Sequence, residues 1–127
     1  MKRGRLLNAD LSGLVAAMGH GDLLVIGDAG LPVPPGVRCI DLAVTQGVPG
    51  MFEVLDAVLA ELAVERSVIA AEASPELQSA FRARGIGDVG VVPHDEFKAL
   101  TRAARAVVRT GECTPYANIC LHAGVTF

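Results

Sequence analysis

Apolar residues along this chain fall into blocks that alternate between two periods. Leu11, Leu14, Val15 and Met18 recur at i, i+3, i+4 and i+7, one face of a helix that Asp10 opens and Gly19 stops. The next block, Leu23-Leu24-Val25-Ile26, is a short continuous run ending at Gly27, which predicts a strand buried on both faces. Residues 29–37 hold three prolines and two glycines and predict a rigid loop, and residues 38–42 a short strand. Residues 51–62 predict a helix with Phe52, Leu55, Leu59 and Leu62 on one stripe.

The alternation continues to the end of the chain. Residues 67–71 predict a strand, and Ser74-Pro75-Glu76 supplies a cap, a first-turn proline and an early acid for a helix to about residue 84. Residues 89–92 read as a strand, 95–104 as a helix carrying Phe97 and Leu100, and residues 106–108 and 119–121 as the last strands. Strands alternating with helices imply one three-layer α/β domain with a mostly parallel, Rossmann-like sheet covered on both faces.

Composition sharpens this picture. The chain has 127 residues, 51% hydrophobic and 20% charged, with 4% aromatics and no Trp, so the core must be built of Val, Leu, Ile and Ala. The net charge of −3 gives no basic footprint for nucleic acid. No apolar run reaches the roughly 18 residues of a membrane span, and Asp10 interrupts the N-terminal stretch before a signal peptide could form. Cys39, Cys113 and Cys120 are odd in number and lack C-x-x-C spacing, so they read as reduced, small core residues of a cytoplasmic protein.

Familiar cofactor motifs fail on context. Residues 85–90 spell G-x-G-x-x-G, but the dinucleotide fingerprint needs a strand before it and a helix after it, and here the order is reversed. A helix stop followed by a tight turn explains these glycines. No P-loop, zincin or serine-hydrolase motif occurs, and no cofactor or metal set is predicted.

In a doubly wound sheet, ligands bind beyond the carboxyl ends of the strands. Asp28 ends the first strand, His94 follows the strand at 89–92, and Glu112, Tyr116 and Asn118 lie between the last two strands. His20 sits between two glycines that leave its ring free and offer it no packing partner. Each has a plainer reading. Asp28 is a turn residue, His94 a helix cap, Tyr116 a core side chain and Asn118 a turn anchor; His122 reads as a core histidine. Taken together, two imidazoles, a carboxylate, a phenol and an amide suit a neutral polyhydroxy ligand, and imidazole moves protons near neutral pH.

At these residues the chain resembles the D-ribose pyranase family, the ribose-operon relatives of fucose mutarotase. The stretches that carry the resemblance are Leu-Leu-Asn-Ala-Asp (6–10), Met-Gly-His-Gly-Asp (18–22), Gly-Asp-Ala-Gly-Leu-Pro (27–32) and Leu-Ala-Val-Thr-Gln-Gly-Val-Pro (42–49). They continue with His-Asp-Glu-Phe-Lys (94–98), Arg-Thr-Gly-Glu-Cys-Thr-Pro-Tyr-Ala-Asn (109–118) and Ala-Gly-Val-Thr-Phe (123–127). They run in order from end to end, while residues 73–90 carry little of the likeness. Asp-Ala-Gly-Leu-Pro and Tyr-Ala-Asn favour the ribose branch over the fucose branch, whose pattern has Asp-Ala-His-Phe-Pro and Tyr-Gly-Asn.

The resemblance implies a cofactor-free cytoplasmic enzyme interconverting the pyranose and furanose forms of D-ribose. It implies His20 as proton donor and Asp28, His94, Tyr116 and Asn118 as sugar-binding residues, with Lys98 one turn beyond His94 as a further candidate. It also implies a homo-oligomer, an octamer or decamer, whose C-terminal segment completes a neighbour's pocket; the high apolar share of the chain points to an oligomer as well. Two other functions share these residues: an L-fucose-type mutarotase, and a non-catalytic sugar-binding regulatory module. A phosphate-accepting receiver domain with Asp28 as acceptor lacks the second acid that should adjoin it.

Overall fold

The computed structural model describes residues 1–127 and contains one six-stranded sheet. In chain order the elements are α1 (Ala9–Ala17), β1 (Leu23–Gly27), β2 (Arg38–Asp41), α2 (Met51–Leu59), β3 (Val64–Ala70) and α3 (Pro75–Arg82). They are followed by β4 (Asp88–Val92), α4 (His94–Leu100), a 3-10 turn (Thr101–Ala103), β5 (Ala106–Arg109) and β6 (Ile119–Ala123). The strand order is β2-β5-β1-β6-β3-β4. Five strands point the same way, and only β6 runs against its neighbours β1 and β3. The sheet is therefore mostly parallel and sandwiched between layers, as the alternating pattern predicts.

Strand periodicity assigns the two faces. Leu24, Ile26, Ile69, Val108, Ile119 and Leu121 pack against Leu11 and Leu14 of α1, the inner face of α2, and Leu77 and Phe81 of α3. On the other face Leu23, Val25, Val68, Val107 and Cys120 meet Leu31 of the proline loop and Phe97 of α4. All of β1 is buried, because a central strand with a layer on each side has no solvent face.

Several local expectations shift. The buried stripe of α2 is Met51, Val54, Leu55 and Val58, with Phe52 and Leu59 only half-buried. Phe52 lies at the flank of its helix, where its ring meets Phe81 at 5.2 Å and carries the Arg84 guanidinium 4.1 Å above it. The strand expected from residue 67 begins at Val64, since its first residues extend past the apolar run. Asn8, not Asp10, caps α1, its Oδ1 accepting from Leu11 N–H at 3.0 Å.

Of the three cysteines only Cys120 is a core residue, and burial pushes its thiol up to about 12. Cys39 is exposed because β2 is an edge strand, and Cys113 because it sits in a loop. His122 is half-buried rather than packed in the core, facing Arg66 across the β3–β6 pair.

Candidate active site

The reversed strand β6 decides where the chemistry gathers. Because β6 is antiparallel to β1, the residues that precede it arrive at the edge where β1 ends. Asn118, immediately before β6, thereby meets Asp28, immediately after β1, across ninety positions of sequence. Asn118 is fully buried. Its Oδ1 accepts the Asp28 backbone N–H at 2.8 Å, and its Nδ2 donates to Asp28 Oδ2 at 3.0 Å. Asp28 Oδ1 accepts from Gly30 N–H at 2.9 Å, so both carboxylate oxygens are held and each keeps acceptor capacity to spare. A glycine at 27 makes this approach possible: a Cβ there would stand 3.1 Å from Asn118 Oδ1 and 2.5 Å from Leu31.

The segment between β5 and β6 is pinned at several points. Thr110 is buried; its backbone N–H and its Oγ1–H both donate to Gly27 O at 2.9 Å. Glu112 fastens the segment to the start of α2, its Oε2 accepting from Met51 N–H at 3.1 Å and its Oε1 from both Thr114 donors. Burial raises the Glu112 carboxyl, but the hydrogen bonds from Met51, Thr114 and Cys113 outweigh it and hold the group below the usual carboxylate range. Glu112, one of the polar residues singled out between the last strands, is thus a fastening residue.

Thr114-Pro115-Tyr116-Ala117 closes a β-turn through Ala117 N–H to Thr114 O at 3.3 Å. Tyr116 occupies the third turn position with φ +63°, and no other residue except glycine has a positive φ. Proline at the second position and positive φ at the third define a turn that ordinarily takes glycine there. A tyrosine held in this conformation stores backbone strain, which marks a position where the side chain matters. Its ring is exposed, not core, and stands edge-on to His94 at 5.1 Å.

His94 reaches the same place from β4 and is the first residue of α4, with Pro93 as the cap. The Glu72 carboxylate accepts the His94 backbone N–H at 2.8 Å, which relieves the imidazole of any capping task. Phe97 stacks on the ring, and Nδ1 is buried with no partner. Asp28, His94, Tyr116 and Asn118 together line a cavity of about 260 Å³, with Gly30, Leu31, Pro32 and Pro115 as its other walls. Lys98 does not join them: it pairs with Asp95 at 3.0 Å and lines the neighbouring cavity behind the proline loop.

His20 lies elsewhere. It precedes β1 while Asp28 follows it, and five strand residues at about 3.3 Å each put roughly 17 Å between the two edges. At that far edge His20 lines a second cavity with the C-terminal residues 123–127, which leave β6 on the same side. Its Nε2 is 2.8 Å from Glu65 Oε2, a partner the sequence did not reveal. One chain therefore brings four of the five candidate residues together and holds the fifth at the opposite end of the sheet.

The sequence profile of the RbsD / FucU transport protein family matches residues 1–126. The chain belongs to this family. A protein of Paracidovorax citrulli named D-ribose pyranase is 60% identical to it over 131 residues, all of both chains. A protein of the same name from Symbiobacterium thermophilum is 55% identical, again over all of both chains. Among solved structures, Bacillus subtilis RbsD complexed with D-ribose superposes with a TM-score of 0.94 at 42% identity, covering both chains completely. The fucose mutarotase of Streptococcus pneumoniae, solved in complex with L-fucose, covers both chains with a TM-score of 0.82 but at 24% identity, a likeness of fold alone.

Proposed function

We infer that this chain is a D-ribose pyranase, an isomerase that interconverts the pyranose and furanose forms of D-ribose. The observation that carries the reading is the cavity at the carboxyl edge, where a held carboxylate, the His94 imidazole and a tyrosine ring converge. Such a surface offers donors and acceptors to hydroxyls and a ring to the apolar face of a sugar. The full-length identity to proteins named D-ribose pyranase supports ribose as the substrate.

Ring interconversion needs only proton transfers. A base takes the proton of the anomeric hydroxyl while an acid protonates the departing ring oxygen; the C–O electron pair stays on that oxygen and the carbonyl forms. The open aldehyde rotates, and a different hydroxyl attacks with the two proton roles reversed. One well-placed acid or base contributes on the order of 10²–10⁴-fold, enough for an exchange that already proceeds unaided.

In this reading Asp28 and His94 hold sugar hydroxyls, Asn118 fixes the Asp28 carboxylate and Tyr116 covers one face of the ring. His20 is the acid/base group, and a second copy of the chain delivers it, since its own edge lies too far from its own cavity. The enzyme is thus an oligomer, taken as eight to ten copies working in the cytoplasm.

Exchange between ribose ring forms, followed by NMR, tests the assignment. The protein should accelerate ribose exchange more than fucose exchange, His20→Ala should lose the acceleration, and Asp28→Asn should weaken ribose binding. Binding of ribose with no change in its exchange rate would leave a sugar-binding module in place of an enzyme.

A further inference from the structure

Glu65 is the residue that sequence patterning passed over, and the backbone is irregular where it stands. Across the β3–β6 ladder Val64 pairs with Ala123 and Arg66 with His122, so two steps on β3 answer one step on β6. Glu65 is the extra residue of a β-bulge. Bulges release a side chain from the alternation of its strand and aim it elsewhere. Arg66 keeps the regular direction, and its guanidinium lies 3.2 Å from His122 Nε2. Glu65 turns instead to His20, whose Nε2 is 2.8 Å from its carboxylate. No second side-chain partner holds that carboxylate.

Two glycines make room for the bulge. Gly87 has φ +66°, and a Cβ there would drive into the Glu65 carbonyl and stand 2.7 Å from Arg66 N. A Cβ on Gly124 would come within 3.2 Å of Glu65 Cβ. The middle glycine of the G-x-G-x-x-G run at 85–90, which has a helix before it and a strand at its end, thus packs against the residue that faces His20. Stability does not explain the arrangement. The His20 and Glu65 side chains are 60% and 49% exposed, and an ion pair that open contributes little to folding.

We propose that Glu65 is a positioning residue for His20: its carboxylate accepts the Nε2–H, holds the ring in that tautomer, and leaves Nδ1 as the atom that exchanges protons with the sugar. The proposal rests on the acid/base reading of His20 given above. A neutral imidazole with its proton on Nε2 presents the Nδ1 lone pair as a base. After accepting a proton at Nδ1 it is an imidazolium whose positive charge faces the carboxylate, and it returns that proton to the next oxygen. Glu65 itself neither gains nor loses a proton. An orienting carboxylate behind a working imidazole is a general device for fixing the tautomer.

The test combines ¹⁵N NMR of the His20 ring with ribose exchange kinetics on the intact protein. The wild type should show the Nε2-protonated pattern. Glu65→Ala should drift toward the mixture of an unheld imidazole, with kcat down about tenfold, the low end of what an orienting partner contributes, and KM within about twofold. Should Glu65→Ala fail to fold, Glu65→Gln keeps the shape without the charge, and its kcat should still fall. A Glu65 variant that folds and keeps both the wild-type nitrogen pattern and the wild-type kcat, beside an inactive His20→Ala, overturns this proposal and leaves the acid/base reading standing. Full activity in His20→Ala overturns both.

Discussion

A site shared between copies, as proposed above, makes a quantitative prediction about mixtures. Within one chain about 17 Å of β1 separates the edge bearing His20 from the edge bearing Asp28. Proton transfer requires heavy atoms within roughly 3 Å, or one water more. On the proposed roles, a pentose gripped by Asp28 lies beyond reach of the same chain's His20, so a working cavity would combine Asp28 of one copy with His20 of another. His20→Ala and Asp28→Asn should each be nearly inactive alone. Co-expressed in equal amounts, they should form hybrid oligomers in which about one cavity in four, by random pairing across a symmetric interface, draws both intact residues. Ribose exchange by NMR should then recover to about a quarter of wild type, while separately purified variants mixed without subunit exchange should recover nothing. Failure of the co-expressed pair to recover, or light scattering that finds a fully active monomer, would refute the reasoning.

Other outcomes follow from single residues. Tyr116→Gly places glycine where the turn takes a positive φ, so the melting temperature should hold or rise, by the equivalent of up to about 1 kcal/mol, while ribose binding is lost in titration calorimetry. Asn118→Ala strips a partner from the Asp28 backbone N–H and should cost about 1–3 kcal/mol in denaturant unfolding. Asn118→Asp, nearly the same shape, sets a carboxylate oxygen 3.0 Å from Asp28 Oδ2 and should abolish binding at neutral pH. Burial first and then the Arg66 charge depress the His122 imidazole below its ordinary range. The unfolded chain therefore binds the proton more readily, and stability should fall as pH drops from about 6.5 toward the folded value. A His122→Gln variant should flatten that part of the stability profile. The Glu112 carboxyl is depressed too, so its contribution is present above the ordinary carboxylate range and lost as pH falls through the folded value; Glu112→Gln should show a shallower acid limb.

Periodicity by itself determined much of this protein. Runs such as Leu23-Leu24-Val25-Ile26 and the i, i+3, i+4 spacing of Leu11, Leu14 and Val15 report local burial, and burial tracks strand and helix periods directly. The α/β layering was legible for that reason. So were Asp28 and His94, because a polar residue just past a parallel strand lies at a known edge. Sequence could not tell that β6 runs backwards, since direction in a sheet depends on which strands pair, and pairing is a long-range matter. That reversal brings Asn118 and Tyr116 to Asp28 and sends the C-terminus to His20. Nor could it find Glu65, whose direction is set by one extra residue in a ladder, or see in Tyr116 a side chain held where glycine belongs. Local chemistry named the residues; the path of one antiparallel strand decided which of them meet inside a single chain.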